Sequence, residues 1–101
     1  PVVLDKKNIV VAGDKIKCYY KLNNNLDRPV IVKATVMLVD AQGEIVDKQV
    51  GSGSIISPLA SELIYQPLAE NKILDKGTYK VKAFILINDQ ETLSYIDQFT
   101  I

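Results

Sequence analysis

The sequence has no histidine and no tryptophan, and its 101 residues include a single cysteine. Histidine is the most common general base and a frequent metal ligand, so its absence argues against triad hydrolases and zinc enzymes. One cysteine can form no intramolecular disulfide and no Cys cluster for zinc or iron. We therefore expect a protein that is not an enzyme, with no catalytic residues, no metal site and no cofactor.

A charge excess and a long apolar segment are also missing. The 12 basic and 12 acidic side chains give a formal net charge of zero, so we expect no nucleic-acid partner. No apolar run approaches the ~18 residues of a membrane-spanning helix, so we expect no membrane span. The chain opens at Pro1 without a signal-like segment. We expect residues 1–101 to form a single domain excised from a longer chain.

Apolar residues recur at every second position, which is typical of β-strands. The clearest example is Lys15 to Leu22, in which Ile16, Cys18, Tyr20 and Leu22 share one face and the lysines share the other. Similar patterns predict the strands at 2–4, 9–11, 29–40, 44–50, 61–68, 78–87 and 91–101. Pro67 indicates an edge strand or the end of a strand. We read Gly51 to Ser54 as a loop or bulge inside the domain.

These patterns predict an all-β fold, an immunoglobulin-like antiparallel β-sandwich of about seven strands. The last third of the chain reads as one long hairpin with its turn at Asn88 to Gln90. Strict alternation in the final strand would point Asp97 inward with Tyr95 and Phe99. We therefore expect a β-bulge near Tyr95 or Ile96 that turns Asp97 to solvent.

The run Asp75-Lys76-Gly77-Thr78-Tyr79-Lys80-Val81 resembles the start of strand F in immunoglobulin-like domains. The resemblance implies that the Tyr79 hydroxyl ties down the preceding connection, as in a tyrosine corner. It places Cys18 and Val81 at the two positions of the family's disulfide, which is therefore absent. The order of features is similar to fibronectin-III-like or immunoglobulin-like modules of microbial surface or secreted proteins. It is also distantly similar to the C-terminal domain of WxL-interacting surface proteins.

Two candidate sites have simple structural explanations. Cys18 lies on the apolar face of its strand, so we interpret it as a small buried hydrophobic residue and not as a reactive thiol. Lys15, Lys17 and Lys21 form a basic stripe that could meet an acidic wall polymer, although charged residues also protect strands from unwanted pairing. The carboxylates follow no calcium-loop spacing, and a loop calcium site stays open.

The sharpest unusual feature is a group of apolar residues on a face that should be wet. Phe84 and Leu86 lie on the outer side of their predicted strand, and an antiparallel neighbour would bring Ile31 beside them. Exposed apolar patches of this kind mark interfaces. Ile31, Phe84 and Leu86 are therefore the possible interface, which either binds a partner or is covered by a loop or a neighbouring domain.

We expect a non-catalytic structural or adhesion module, a spacer or assembly interface, in a secreted or cell-surface protein. Its partners would be neighbouring domains of the same chain, another protein or a second copy in a homo-oligomer. The alternative is a ligand-binding module for carbohydrate or for a peptide strand added at a sheet edge. Carbohydrate binding would depend on exposed aromatic rings, for which only Tyr19, Tyr65 and Tyr95 are available.

Overall fold

The computed structural model describes residues 2–12 and 15–101, and this part of the chain is built of β-strands joined by turns and loops. Eight strands are present in it, seven of them with six or more residues. In chain order they are β1 Val2–Ala12, β2 Lys15–Asn24, β3 Val30–Val39, β4 Ile45–Val50, β5 Ser54–Ile56, β6 Ser61–Leu68, β7 Thr78–Ile87 and β8 Glu91–Thr100.

The strands form two antiparallel sheets. The first has three strands in the order β1-β2-β6, and the second has five, with the path β4-β3-β7-β8 and β5 paired to β3. The prediction of an all-β antiparallel sandwich with about seven strands is confirmed. The prediction of two short opening strands was wrong, because β1 is one strand whose register shifts between Leu4 and Lys6.

Alternation along β2 explains how the two sheets meet. Ile16, Cys18, Tyr20 and Leu22 are all buried, whereas the residues between them are partly or fully exposed. The inner face of β7 supplies the opposing layer, in which Val81, Ala83 and Ile85 are each at most 1% exposed. Burial of these two apolar faces against each other stabilises the sandwich.

One edge of β3 is shared by two short strands. β4 pairs with Thr35 to Val39, and β5 pairs with Val30 to Val32. Between them the Gly51 N–H donates a hydrogen bond of 2.8 Å to the Ala34 carbonyl. A Cβ at Gly51 would lie 3.2 Å from that oxygen, so glycine suits this close approach. The loop expected at Gly51 to Ser54 lies inside the fold, and its last residue begins β5.

The β7–β8 hairpin is regular along its whole length. Pairs run without a register shift from Thr78 opposite Thr100 to Ile87 opposite Glu91. The bulge predicted near Tyr95 or Ile96 is therefore wrong. Asp97 pairs with Val81, and it is partly buried on the inner face of β8.

The described residues contain no helix long and apolar enough to cross a membrane.

Candidate functional site: the outer face of the five-stranded sheet

The register between β3 and β7 decides where the expected interface residues lie. Leu86 pairs with Lys33, and Phe84 pairs with Thr35. Direct cross-strand partners share a face of the sheet. Ile31, two residues before Lys33, therefore lies on the same outer face and diagonally next to Leu86. It is four positions away from Thr35, the residue opposite Phe84.

Two further isoleucines extend this group across the sheet. Ile55 of β5 pairs directly with Ile31, and Ile96 of β8 pairs with Lys82, diagonally next to Phe84. We call this set the apolar stripe: Ile55, Ile31, Leu86, Phe84 and Ile96. Ile55 could not be recognised from the sequence because a three-residue strand shows no period. The face of Ile96 was wrongly assigned because of the predicted bulge.

The apolar stripe is open to solvent. Ile55 is 69% exposed, Ile96 59%, Ile31 48% and Phe84 37%, while Leu86 is partly buried. Large apolar side chains that are contiguous and exposed are characteristic of binding surfaces. The geometry thus brings the three residues singled out from the sequence onto one face, with two neighbours that continue it.

A side-chain contact fixes the Ile31 end of the stripe. The Ile31 N–H donates to Asn88 Oδ1 at 2.9 Å, and the Asn88 N–H donates to the Ile31 carbonyl at 2.8 Å. Asn88 and Asp89 both have positive φ, a conformation that these two residue types tolerate in turns. The β7–β8 turn is therefore joined to β3, and the stripe lies on a hydrogen-bonded scaffold.

The charged side chains that the strands place on this face are lysines. Lys33 pairs with Leu86, and Lys80 pairs with Val39. Met37 has a lysine on each side, Lys82 of β7 and Lys48 of β4. Lys33 also forms an ion pair with Asp89, with Nζ 3.6 Å from Oδ1, and both side chains are exposed. Such a pair contributes little to stability. The face therefore has an apolar end near the β7–β8 turn and a cationic end near Lys80.

The tyrosine corner implied by the resemblance is present. The Tyr79 hydroxyl donates a hydrogen bond of 2.7 Å to the Asp75 carbonyl, four residues earlier. The ring is buried and stacks on Phe99 with centroids 5.8 Å apart. Gly77, at φ +155°, exchanges backbone hydrogen bonds with Ile101. These contacts fix the start of β7 and thus the position of the face above it.

Cys18 lies in the core, as expected. Its side chain is 0% exposed and belongs to the same buried cluster as Val81. Burial raises the pKa of the Cys18 thiol from 9.0 to about 11, and the hydrogen bond with Tyr20 opposes this rise. The negative charge of Asp97 adds to the increase. Burial likewise raises the pKa of the Tyr20 hydroxyl. The thiol is therefore held in its protonated, weakly nucleophilic form.

Two carboxylates of the β3–β4 hairpin, those of Asp40 and Asp47, accept hydrogen bonds from backbone N–H groups. Asp40 Oδ1 accepts hydrogen bonds from the backbone N–H groups of Gln42 and Glu44, at 3.0 and 2.9 Å. Asp47 Oδ2 accepts one from the Ala69 N–H at 2.7 Å. In the described ranges, 2–12 and 15–101, no three His, Cys, Asp or Glu side chains group so as to hold a metal ion.

The three tyrosines considered for carbohydrate binding are separated by the fold. Tyr19 and Tyr65 pair across β2 and β6 on the outer face of the three-stranded sheet, with ring centroids 5.0 Å apart. The expected edge position of the Pro67 strand is confirmed, because β6 ends the order β1-β2-β6. Tyr95 faces inward and packs against both buried clusters. It cannot belong to a surface platform with the other two.

No protein-family model matches the chain, and no curated protein matches it. Solved structures do. A β-glucuronidase of glycoside hydrolase family 2 aligns with a TM-score of 0.71 and 14% identity, covering 95% of this chain and 11% of that one. The β-glucuronidase of Bacteroides uniformis aligns with a TM-score of 0.68 and 8% identity, covering 98% and 12%.

A segment with the same fold also occurs in a DNA glycosylase, a protein of another kind than the two β-glucuronidases. The alkylpurine DNA glycosylase of Pseudomonas fluorescens, bound to DNA containing an abasic site analog, aligns with a TM-score of 0.62 and 17% identity. The match covers 98% of this chain and 30% of that one. The chain therefore spans less than a third of each of these structures. At such identities the likeness shows the fold alone, a β-sandwich consistent with the immunoglobulin-like type.

Proposed function

We propose that the chain is a non-catalytic β-sandwich module of a larger secreted or cell-surface protein, and that it acts as an assembly interface by pairing with a second copy of itself. The observation that carries the proposal is the apolar stripe, which crosses four strands and is open to solvent. The size of the matched segments, 11–30% of their own chains, supports a module within a larger protein. The order of features along the chain, which is similar to that of modules of microbial surface or secreted proteins, supports the location.

The lysines on the face select the orientation of the two copies. Parallel docking of two outer faces would place Lys80 and Lys82 against the same lysines of the partner, and like charges in apposition cost free energy. Antiparallel docking centred on the stripe keeps the lysines of the two copies apart. It brings Lys80 and Lys82 of one copy near the β7–β8 turn of the other, where Asp89 and Glu91 lie.

Light scattering after size exclusion tests this interface, with wild type and Phe84→Lys compared over a range of concentrations. We expect wild type to approach twice the monomer mass as concentration rises. Phe84→Lys should remain monomeric, because it places a charged side chain in the centre of the stripe. Ile73→Lys is the matched control, since Ile73 is 95% exposed in the loop before β7 and lies outside the stripe. It should associate like wild type.

Two results would overturn the proposal. A wild-type protein that stays monomeric at every concentration has no self-pairing face. A dimer that persists in Phe84→Lys is built by another surface. Circular dichroism of the three proteins confirms that each substitution leaves the β-sandwich folded.

A further inference from the structure

The outer face of the other sheet combines aromatic, apolar and cationic side chains. β6 pairs with β2 so that Leu63 lies opposite Lys21, Tyr65 opposite Tyr19, and Pro67 opposite Lys17. Lys15 stands at the start of the same face of β2. We call this surface the tyrosine face, and its members are Lys15, Lys17, Tyr19, Lys21, Leu63, Tyr65 and Pro67.

Tyr65 presents an aromatic surface at the edge of the sheet. One side of its ring lies against Tyr19, at 5.0 Å between centroids and 30° between planes. β6 is an edge strand, and 47% of Tyr65 is exposed. Leu63, two positions along the strand, is 62% exposed. An apolar strip therefore follows β6.

A cationic strip runs beside it. Lys15 is exposed and Lys17 is half-buried, and Lys17 lies two positions before Tyr19 on the same face of β2. Lys17 and Lys21 flank Tyr19 at two-residue spacing, about 13 Å apart along the strand. The residues that β2 and β6 place on this face include no carboxylate, since Glu62 alternates to the inner side opposite Leu22.

We propose that the tyrosine face binds an acidic oligosaccharide. A uronic acid ring has an apolar face of C–H groups, which stacks on an aromatic ring, and a carboxylate at its rim, which pairs with an ammonium group. The parallel apolar and cationic strips match these two features side by side. This site lies on the opposite side of the sandwich from the apolar stripe, so the inference goes beyond the assembly role and is independent of it.

A flat ligand with few charges fits better here than a polynucleotide. Single-stranded nucleic acids bind in grooves lined by many cations, with aromatic rings that take successive bases. The tyrosine face is the outer side of a sheet, and its two tyrosine rings form a tilted pair. A nucleic-acid ligand is thus the competing outcome that the experiment has to separate.

Calorimetric titration of the chain tests the site with three tetrameric probes. These are an α-1,4-linked tetragalacturonate, the neutral tetragalactose with the same linkage, and a single-stranded tetrathymidylate. We expect saturable binding of the galacturonate and at least tenfold weaker binding of the other two. Raising the salt concentration should weaken the galacturonate complex, because exposed ion pairs are screened.

Four variants assign the binding to named side chains. Tyr65→Ala and Lys17→Gln should each weaken galacturonate binding at least fivefold. Tyr65→Phe keeps the ring and should bind within twofold of wild type. Lys82→Gln removes the same charge from the other sheet and should also bind within twofold.

The inference is wrong if tetragalacturonate does not bind at millimolar concentration, or if Lys17→Gln and Tyr65→Ala bind as well as wild type. It is also wrong if tetrathymidylate binds as tightly as the sugar, which would make the face a general polyanion site. Because Lys17→Gln changes only a surface charge, its result stands even if Tyr65→Ala fails to fold. None of these outcomes bears on the Phe84→Lys comparison.

Discussion

Cys18 shows how a residue type with reactive chemistry can serve packing alone. It occupies the position of the first disulfide cysteine in the resemblance, and Val81 in the same buried cluster occupies the second. A Cys–Val pair fills this place with two small apolar side chains, so the contact between sheets is made without a covalent bond. The raised pKa of the thiol follows from the same burial.

That pKa gives the stability a dependence on alkaline pH. The thiol ionises near pH 9.0 when exposed and near 11 when buried, so the folded state holds more protons between these values. Stability from this group is present below pH 9 and is lost as pH rises towards 11. We expect the free energy of unfolding, measured with urea, to fall between pH 8 and pH 10 by about 1 kcal/mol more in wild type than in Cys18→Ala.

The resemblance to immunoglobulin-like domains is most specific at Tyr79. Tyr79→Phe removes the donor to the Asp75 carbonyl and keeps the ring that stacks on Phe99. We expect a loss of about 1 kcal/mol in the free energy of unfolding, measured with urea. Tyr65→Phe is the control and should change stability by less than about 0.5 kcal/mol, because its ring is half exposed. Equal losses in the two variants would show that the corner hydrogen bond contributes nothing.

Asn24 is a residue whose role the sequence did not reveal. It stands at the start of a polar run that suits a turn, yet it is 1% exposed. Its Nδ2 is within 2.9–3.2 Å of the carbonyls of Arg28, Ile56 and Ser57, and its Oδ1 accepts from the Leu26 N–H. The side chain thus joins the β2–β3 turn to the end of β5. Contacts between residues more than 30 positions apart leave no local pattern.

At the scale of the strands, both β6 and β8 are sheet edges that carry an inward carboxylate. Asp97 lies on the inner face of β8 opposite Val81, and Glu62 lies on the inner face of β6 opposite Leu22. Inward-pointing charges and prolines on edge strands discourage pairing with other chains. Pro67 provides the second of these devices in β6. Asp97 is therefore explained as an edge protector in a regular strand, without a bulge.

Asp97→Val tests this explanation of the β8 edge. We expect the variant to aggregate several-fold faster on heating, followed by light scattering, because an apolar inner residue removes the protection of a ten-residue edge strand. Gln98→Val adds the same side chain to the outer face of the same strand and should aggregate nearly like wild type. If both variants aggregate equally fast, the added apolar side chain explains the aggregation, and the inward charge of Asp97 does not protect the edge.

The strands follow from the sequence where alternation is long, as in β2, β3 and β7, because one face must be buried and the other wet. β5 cannot be predicted from such a pattern, because its three residues form a strand only by pairing with β3. The bulge in β8 was wrongly predicted because the pattern rule assigns charged side chains to solvent. The candidate interface was found in part: alternation identified Phe84 and Leu86, but only the register between strands adds Ile55 and Ile96.

At the scale of the whole molecule, zero net charge conceals an uneven distribution. Lysines stand on the outer faces of both sheets, at Lys15 and Lys17 on one and at Lys80 and Lys82 on the other. Many of the carboxylates, such as Asp27, Asp40, Asp75 and Asp89, lie in the connections. The net charge therefore does not reveal that both outer faces carry lysines. One of these faces also carries the apolar stripe, and the other carries the tyrosine pair.

If two copies dock antiparallel through the apolar stripe, the β7–β8 turn of one copy lies beside Lys80 and Lys82 of the other, and paramagnetic relaxation between copies detects this proximity. A spin label on Gln90→Cys marks the β7–β8 turn, and the natural Cys18 stays unlabelled because it is buried. The labelled protein is mixed with an isotope-labelled copy that carries no spin label. Antiparallel docking predicts broadened amide signals at Lys80 and Lys82 of the second copy, and their recovery when Phe84→Lys is used. Broadening confined to Ile87–Gln90, or no broadening at any concentration, would show that the two copies do not dock antiparallel through this face.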